Sequence, residues 1–251
     1  MSADYQPIQI RGGGTSQPLA LAKRLRLVRQ HLHGKGRFLD CGCGSGGYVE
    51  TLVGAFGCDA YGVEFDHGKV TAAHKHDILR DRVSQGNIEA LNHESNTWDY
   101  VMLNEVLEHV PNDRKAVAEV YRVLKPGGLL LVFSPNRWFP FESHSVQLKW
   151  TKREVPRWVP FIPYLPIGLG QHLFIYWARN YWQKELTKML IEPGFTVIEK
   201  SFVWQTFENI SGQQPWLIAK LKPLMRAACN TLEQTPFLRR FGLSQVLVCR
   251  K

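Results

Sequence analysis

The chain has 251 residues, 44% of them hydrophobic, enough for one α/β domain with insertions and short for two equal domains. Its formal net charge of +9 is unevenly placed: residues 1–133 carry 15 basic and 15 acidic side chains, whereas residues 134–251 carry 16 and 7. The five cysteines, Cys41, Cys43, Cys58, Cys229 and Cys249, are odd in number and show no CxxC spacing, which argues against zinc or redox work and fits a reducing cytoplasm; no metal is expected. Residues 1–17 are polar and glycine-rich without the apolar run of a secretory signal, and read as a disordered tail before a single domain over 18–251.

From Pro18 to His33, Leu19, Ala22, Leu25, Val28 and Leu32 recur at three- and four-residue steps. This predicts an amphipathic helix, ending near Gly34, with Lys23, Arg24, Arg26 and Arg29 largely on its outer side. Arg37–Cys41 reads as a buried strand, followed by a glycine turn and a helix from Gly46 to Phe56. Asp59–Glu64 is a second strand, Asp66 caps a helix to about Leu79, and Arg82–Gln85 and Trp98–Asn104 are the third and fourth strands. Asn112 or Asp113 caps the next helix, whose Ala116, Val117, Val120 and Val123 face the sheet, and Pro126-Gly127-Gly128 turns the chain into the strand Leu129–Ser134. Such alternation implies a doubly wound, mostly parallel sheet with ligands beyond the carboxyl ends of its strands. Residues 135–181 break the pattern with Pro135, Pro140, Pro156, Pro160, Pro163 and Pro166 among many aromatics, as a lid or substrate insertion would. A helix over Trp182–Ile191, a strand over Phe195–Val203, a basic second insertion at about 206–243 and a last strand over Ser244–Cys249 complete the domain.

The run Asp40-Cys41-Gly42-Cys43-Gly44-Ser45-Gly46-Gly47 ends a strand and opens a helix. Glycines there let backbone approach a ligand closely, and free N–H groups at a helix start face a negative group. Gly42, Gly44 and Gly47 also satisfy GxGxxG, so the turn alone is shared between NAD and S-adenosylmethionine sites. Glu64 closes the second strand 20 residues beyond Gly44, where a carboxylate can accept both hydroxyls of a ribose.

The stretches FLDCGCGSGGY, YGVEFD, GNIEAL, WDYVMLNEVLEHV and VLKPGGLLLVFSPN, over roughly Phe38 to Asn136, resemble the class I S-adenosylmethionine-dependent methyltransferases, especially the type 11 group. The resemblance implies a seven-stranded Rossmann-like sheet and S-adenosyl-L-methionine as cofactor. It implies that Asp40, Gly42, Cys43, Gly44 and Gly46 form the methionine side, that Glu64 holds the ribose, and that Phe65 and Ile88 sandwich adenine. Asn87 stands where the family usually has an aspartate for the adenine amino group, and Asn104 and Glu105 would close over the methionine end.

Methyl transfer from a sulfonium is an in-line displacement that chiefly needs a well-placed nucleophile. A hydroxyl acceptor must also lose its proton, and His109 and His144 are the candidate bases. Asn136, Arg137 and Glu142 lie in the same post-strand segment and are the candidate substrate-binding residues. The aromatic stretch Trp158–Trp177, with the basic-apolar runs Trp216–Arg226 and Phe237–Phe241, points to a lipid or lipid-linked acceptor and peripheral membrane contact. A nucleic-acid methyltransferase using the basic second part is the alternative. Against it, Asn104-Glu-Val-Leu stands where base-amino methylating enzymes of the family place an Asn/Asp-Pro-Pro-Tyr/Phe motif.

Overall fold

A computed structural model describes residues 18–33, 36–144, 146–208 and 216–251; the expected disordered tail over 1–17 lies outside the described residues. In chain order the elements are α1 (Pro18–Arg29), β1 (Arg37–Cys41), α2 (Gly47–Phe56), β2 (Asp59–Glu64), α3 (His67–Ala73), β3 (Val83–Gln85), β4 (Trp98–Asn104), α4 (Asp113–Val123) and β5 (Leu124–Pro135). There follow β6 (Val146–Leu148), α5 (Ile167–Leu173), β7 (Phe174–Tyr176), α6 (Gln183–Ile191), β8 (Thr196–Val203), α7 (Trp216–Gln234) and β9 (Ser244–Arg250).

Seven strands form one sheet in the order β3-β2-β1-β4-β5-β9-β8, parallel except that β9 runs against both neighbours. The order reverses between β1 and β4, and the glycine turn leaves β1 at that crevice. Successive side chains of the central strands face opposite layers, so both faces must be covered by helices. Phe38, Tyr100 and Met102 pack with Leu25, Val28, Val49 and Leu52 on one face, and Leu39, Val101 and Leu103 with Val117, Val120, Leu186 and Leu190 on the other.

Three local expectations change. The first helix stops at Arg29 because His31 and Leu32 donate to carbonyls three residues back, after which the Tyr100 hydroxyl takes both backbone groups of His33. The helix capped by Asp66 ends at Ala73; Lys75 and His76 close three-residue turns and His74 reaches the Val83 carbonyl at 2.7 Å, so a short 3-10 turn carries the chain to Leu79. The strand expected from Leu129 begins at Leu124, with Pro126-Gly127-Gly128 forming a bulge: the partner of Leu124 is Trp98 and that of Leu129 is Tyr100.

The insertion over 135–181 folds as a small antiparallel β6–β7 pair with α5 beside it. Its exposed apolar side chains include Trp150, Trp158, Phe161, Leu169 and Trp177. No helix among the described residues is long and apolar enough to cross a membrane.

Candidate functional site

The turn between β1 and α2 takes left-handed conformations at Gly42 (φ +75°), Gly44 (φ +57°) and Gly46 (φ +85°). A Cβ at Gly42 would lie 2.5 Å from Val106 Cγ2, whereas one at Gly44 would meet nothing within 4 Å. The first glycine is therefore required by packing, and the second opens onto free space. The turn is pinned to β2 by the Gly42 and Cys43 amides, which donate to the Val63 carbonyl at 2.7 and 3.1 Å. Glu64 is buried; its Oε2 accepts from the Gly44 amide at 2.8 Å and its Oε1 from the Asp66 amide at 3.0 Å. Among the described residues no side chain caps the start of α2.

Asp40 sits at the same end of β1, 1% exposed, and neither carboxylate oxygen has a hydrogen-bond partner among the described residues. Burial, and then the Glu64 carboxylate, push its pKa up to about 8. An orphaned acid beside a left-handed glycine turn fits the cationic methionine end of S-adenosylmethionine, which would supply its counter-charge. Cys43, buried in the turn, has its thiol pushed upward by burial and by Asp40, so it is an inert wall.

Farther along the sheet edge, the Gly86 amide donates to the Glu64 carbonyl and Gln85 Nε2 to the Phe65 carbonyl, placing the loop after β3 against the end of β2. Phe65 is 74% exposed there, whereas Ile88 is buried in the core. Asn87 is exposed, and its Oδ1 already accepts from the Glu89 amide at 2.9 Å, leaving one oxygen lone pair and the NH2 for a ligand.

Asn104 and Glu105 are held by a residue expected on the outer side of α1. Arg24 instead turns inward; its Nη1 donates to Asn104 Oδ1 at 2.7 Å and its Nη2 to Glu105 Oε1 at 2.6 Å and to Ser244 Oγ at 3.0 Å. The Ser244 hydroxyl donates to the same Glu105 oxygen, and Glu105 has φ +55°. Lys23 is buried as well and pairs with Glu233 of α7 at 2.5 Å. The signal was present: Arg24 lies three residues after Leu21 and four before Val28, on the buried stripe itself.

Beyond Glu105, the loop after β4 carries Glu108 and His109. Glu108 is 3% exposed with neither oxygen hydrogen-bonded among the described residues, and burial followed by Glu105 raises its pKa well above the carboxylate range. The His109 ring meets the His144 ring edge to face, with centroids 4.9 Å apart, so two segments 35 residues apart converge. Burial lowers the pKa of His144, whose Nδ1 lies 3.1 Å from Ser143 Oγ. His144 also lines an open groove of about 500 Å3 with Ser143, Gln147, Glu154, Arg157 and Trp177.

The three expected substrate residues are engaged elsewhere. Asn136 is buried and donates to the Arg240 and Gly242 carbonyls at 2.7 Å each. Arg137 Nε donates to the Pro163 carbonyl at 2.7 Å and its Nη2 to the Leu165 carbonyl, with its guanidinium over the Trp182 ring. Glu142 accepts from Asn180 Nδ2 on both oxygens and from the His144 amide. These side chains tie the insertion to the sheet. Arg137 and Asn180 also line a half-open space of about 410 Å3 with Ile162, Leu165, Tyr176 and Met189.

A family model described as a methyltransferase domain, of type 11, matches residues 39–132. Among curated relatives, the chain is 30% identical over 139 residues to a ubiquinone biosynthesis O-methyltransferase of Coxiella burnetii, covering 53% of this chain and 59% of that protein. It is 27% identical over 140 residues to a sterol 24-C-methyltransferase of Schizosaccharomyces pombe, covering 54% of this chain and 36% of that one. The chain thus spans well under two thirds of these relatives. A solved S-adenosylmethionine dependent methyltransferase from Mesorhizobium loti has the same fold at 14% identity, with a TM-score of 0.58 over 95% of this chain and 99% of that one. With residues 39–132 matched by that family model and the architecture matched by that structure, the chain carries a type 11 methyltransferase domain on the fold of the S-adenosylmethionine-dependent methyltransferases.

Proposed function

We propose that the protein transfers the methyl group of S-adenosylmethionine to a hydroxyl oxygen of an apolar, lipid or lipid-linked acceptor. The observation that carries the reading is the pair of imidazoles, His109 and His144, meeting at the carboxyl edge of the sheet, with His144 on an open groove. Carbon acceptors with their own nucleophilic electrons and amines that are already neutral need no such pair; a hydroxyl does. S-adenosylmethionine supplies the activated methyl group and the sulfide leaving group. Asp40 and the glycine turn bind its methionine side, Glu64 the ribose, and the loops of Phe65 and of Asn87–Ile88 wall the adenine side. In the transfer the acceptor's O–H proton passes to an imidazole, a C–O bond forms, and the electrons of the broken C–S bond stay on sulfur.

The apolar character of the acceptor is supported by Trp177 on the groove and by Ile162, Leu165 and Met189, which share the lining of the neighbouring space with charged residues. One relative named above takes a sterol and another acts in ubiquinone biosynthesis, which agrees with that class. Exposed Trp150 and Trp158 stand among exposed Lys149, Lys152, Arg153 and Arg157, a composition suited to the surface of an anionic bilayer. Part of the basic excess instead serves the fold: Arg137, Arg179, Arg226 and Lys251 donate to backbone carbonyls, which leaves less of it for nucleic-acid phosphates. The test is transfer of labelled methyl into fractionated lipid and aqueous extracts, with His109→Ala and His144→Ala in parallel. The expected result is an O-methylated apolar product and turnover lowered about 100-fold or more with cofactor affinity retained. Label found only in RNA or protein, or undiminished turnover in both variants, would refute the reading.

A further inference from the structure

The loop after β4 and the start of the insertion bring three potential ligands together. Glu108, His109 and His144 each offer a donor atom within 4.8 Å of the other two. Glu108 is almost wholly buried, beside a second acid, Glu105, and its oxygens have no hydrogen-bond donor among the described residues. The nearby cation, Arg24, is engaged by Asn104, Glu105 and Ser244. Arg24 acts on this buried acid through space without hydrogen-bonding it, which leaves the Glu108 oxygens open to a proton or to a further cation. The Ser143 hydroxyl lies 3.1 Å from His144 Nδ1, the kind of outer hydrogen bond that fixes the ring of a ligating histidine.

We propose that Glu108, His109 and His144 bind one divalent transition-metal ion of the zinc class at the His144 edge of the groove walled by Gln147, Arg157 and Trp177. Two imidazoles and one carboxylate form a nitrogen-rich donor set that suits zinc over magnesium or calcium, and three protein ligands leave coordination positions open. The sequence hides this set, because its third member stands 35 residues beyond the second and no cysteine takes part. The inference rests on the hydroxyl-acceptor reading for its use: an open position takes the acceptor oxygen and lowers the pKa of its hydroxyl. With the ion bound, the imidazoles would ligate in place of taking the proton themselves: the hydroxyl proton would pass to water in the groove, the oxygen's electron pair would form the bond to the methyl carbon, and the C–S electrons would remain on sulfur.

Calorimetric titration of the chelator-stripped full chain with zinc chloride tests the site without reference to activity. One ion per chain is expected, with affinity at least about tenfold lower in Glu108→Gln and His144→Ala and unchanged in His172→Ala, an exposed residue of α5. Retained binding of S-adenosylmethionine checks the fold of each variant; should His144→Ala fail it, Glu108→Gln and the visible absorption of cobalt bound to the parent chain decide. Absence of one-to-one zinc binding, or equal affinity in parent and ligand variants, would overturn the site. Methyl transfer by stripped and zinc-loaded chain tests the use: a gain of about tenfold or more supports it, and equal rates with zinc bound overturn it. Failure to methylate any acceptor would count against the transferase reading while the zinc titration still decides the site.

Discussion

Replacing Asp40 by asparagine should make the free protein more stable at pH 8 and at the same time impair cofactor binding. In the folded chain the carboxyl titrates at about 8 against 3.8 for an unperturbed group, because burial and Glu64 oppose its charge. A folded-state pKa above the unfolded one means that this group's stabilisation is full below pH 3.8 and is lost as pH rises through about 8. Each tenfold difference in proton affinity is about 1.4 kcal/mol, so the loss across that window is on the order of 6 kcal/mol as an upper bound. The amide of the variant has nothing to titrate. Thermal unfolding at pH 5 and pH 8 should therefore show the parent losing several degrees more than Asp40→Asn, at about 2–4 °C per kcal/mol for a chain of this size. Binding reverses the preference: a cationic cofactor favours ionised Asp40, so its dissociation constant in the parent should tighten as pH rises toward 8, by up to about tenfold per pH unit. In Asp40→Asn the constant should be weaker by about 100-fold at pH 8 and flat with pH. Parallel pH dependences of stability in parent and variant, or an unchanged cofactor constant, would show that Asp40 is not the counter-charge.

Three further outcomes follow from the same geometry. Arg24→Leu should destabilise the protein by roughly 3 kcal/mol, because it strands Glu105 among buried groups, and adding Glu105→Gln should recover part of the loss; additive effects in a denaturation cycle would sink the coupling. Asn136→Ala should cost about 1–3 kcal/mol by leaving the Arg240 and Gly242 carbonyls unpaired, with the acceptor KM unchanged in any variant that remains folded; a raised KM would return Asn136 to the acceptor site. Flotation with vesicles containing anionic lipid should recover the parent chain and lose most of the Trp150→Ala/Trp158→Ala double variant, and equal recovery would remove bilayer contact by this face.

What could be read in the sequence was what local periodicity and turn chemistry determine. β1, β2 and β4 fall within the expected residues because alternating layers demand apolar runs there, and Asp66 and Asn112 cap their helices through their own side chains. The donor side of the site is legible for the same reason: Asp40, Gly44 and Glu64 meet through two adjacent parallel strands whose register places Asp40 beside Gly62 and Cys41 beside Val63. The acceptor side depends on closures of high sequence separation. Arg24 meets Ser244 across 220 residues and Asn136 meets Gly242 across 106, and no window of sequence states such a contact. Polar density at Asn136, Arg137 and Glu142 looked like substrate chemistry, yet an insertion broken by prolines leaves many carbonyls without strand partners, and these side chains satisfy them or fix their segments.

The charge at the sheet edge resolves an ambiguity that the glycines leave open. GxGxxG serves dinucleotides because free amides at the turn receive a pyrophosphate. Here the Gly44 amide is taken by Glu64, and Asp40, Glu105 and Glu108 add three more acids to an edge where Arg24 pairs with Glu105, Lys69 lies 3.9 Å from Glu64, and the oxygens of Asp40 and Glu108 have no hydrogen-bond partner among the described residues. A ligand bringing two phosphate charges into this low-dielectric crevice would be repelled by acids with no water to screen them. A ligand bringing a sulfonium and an ammonium would relieve the same acids, Asp40 first, since both its oxygens lack partners. The carboxylates around the turn thus suit a cationic ligand: burial raises Asp40 toward neutrality in the free protein, and a cation would restore its charge.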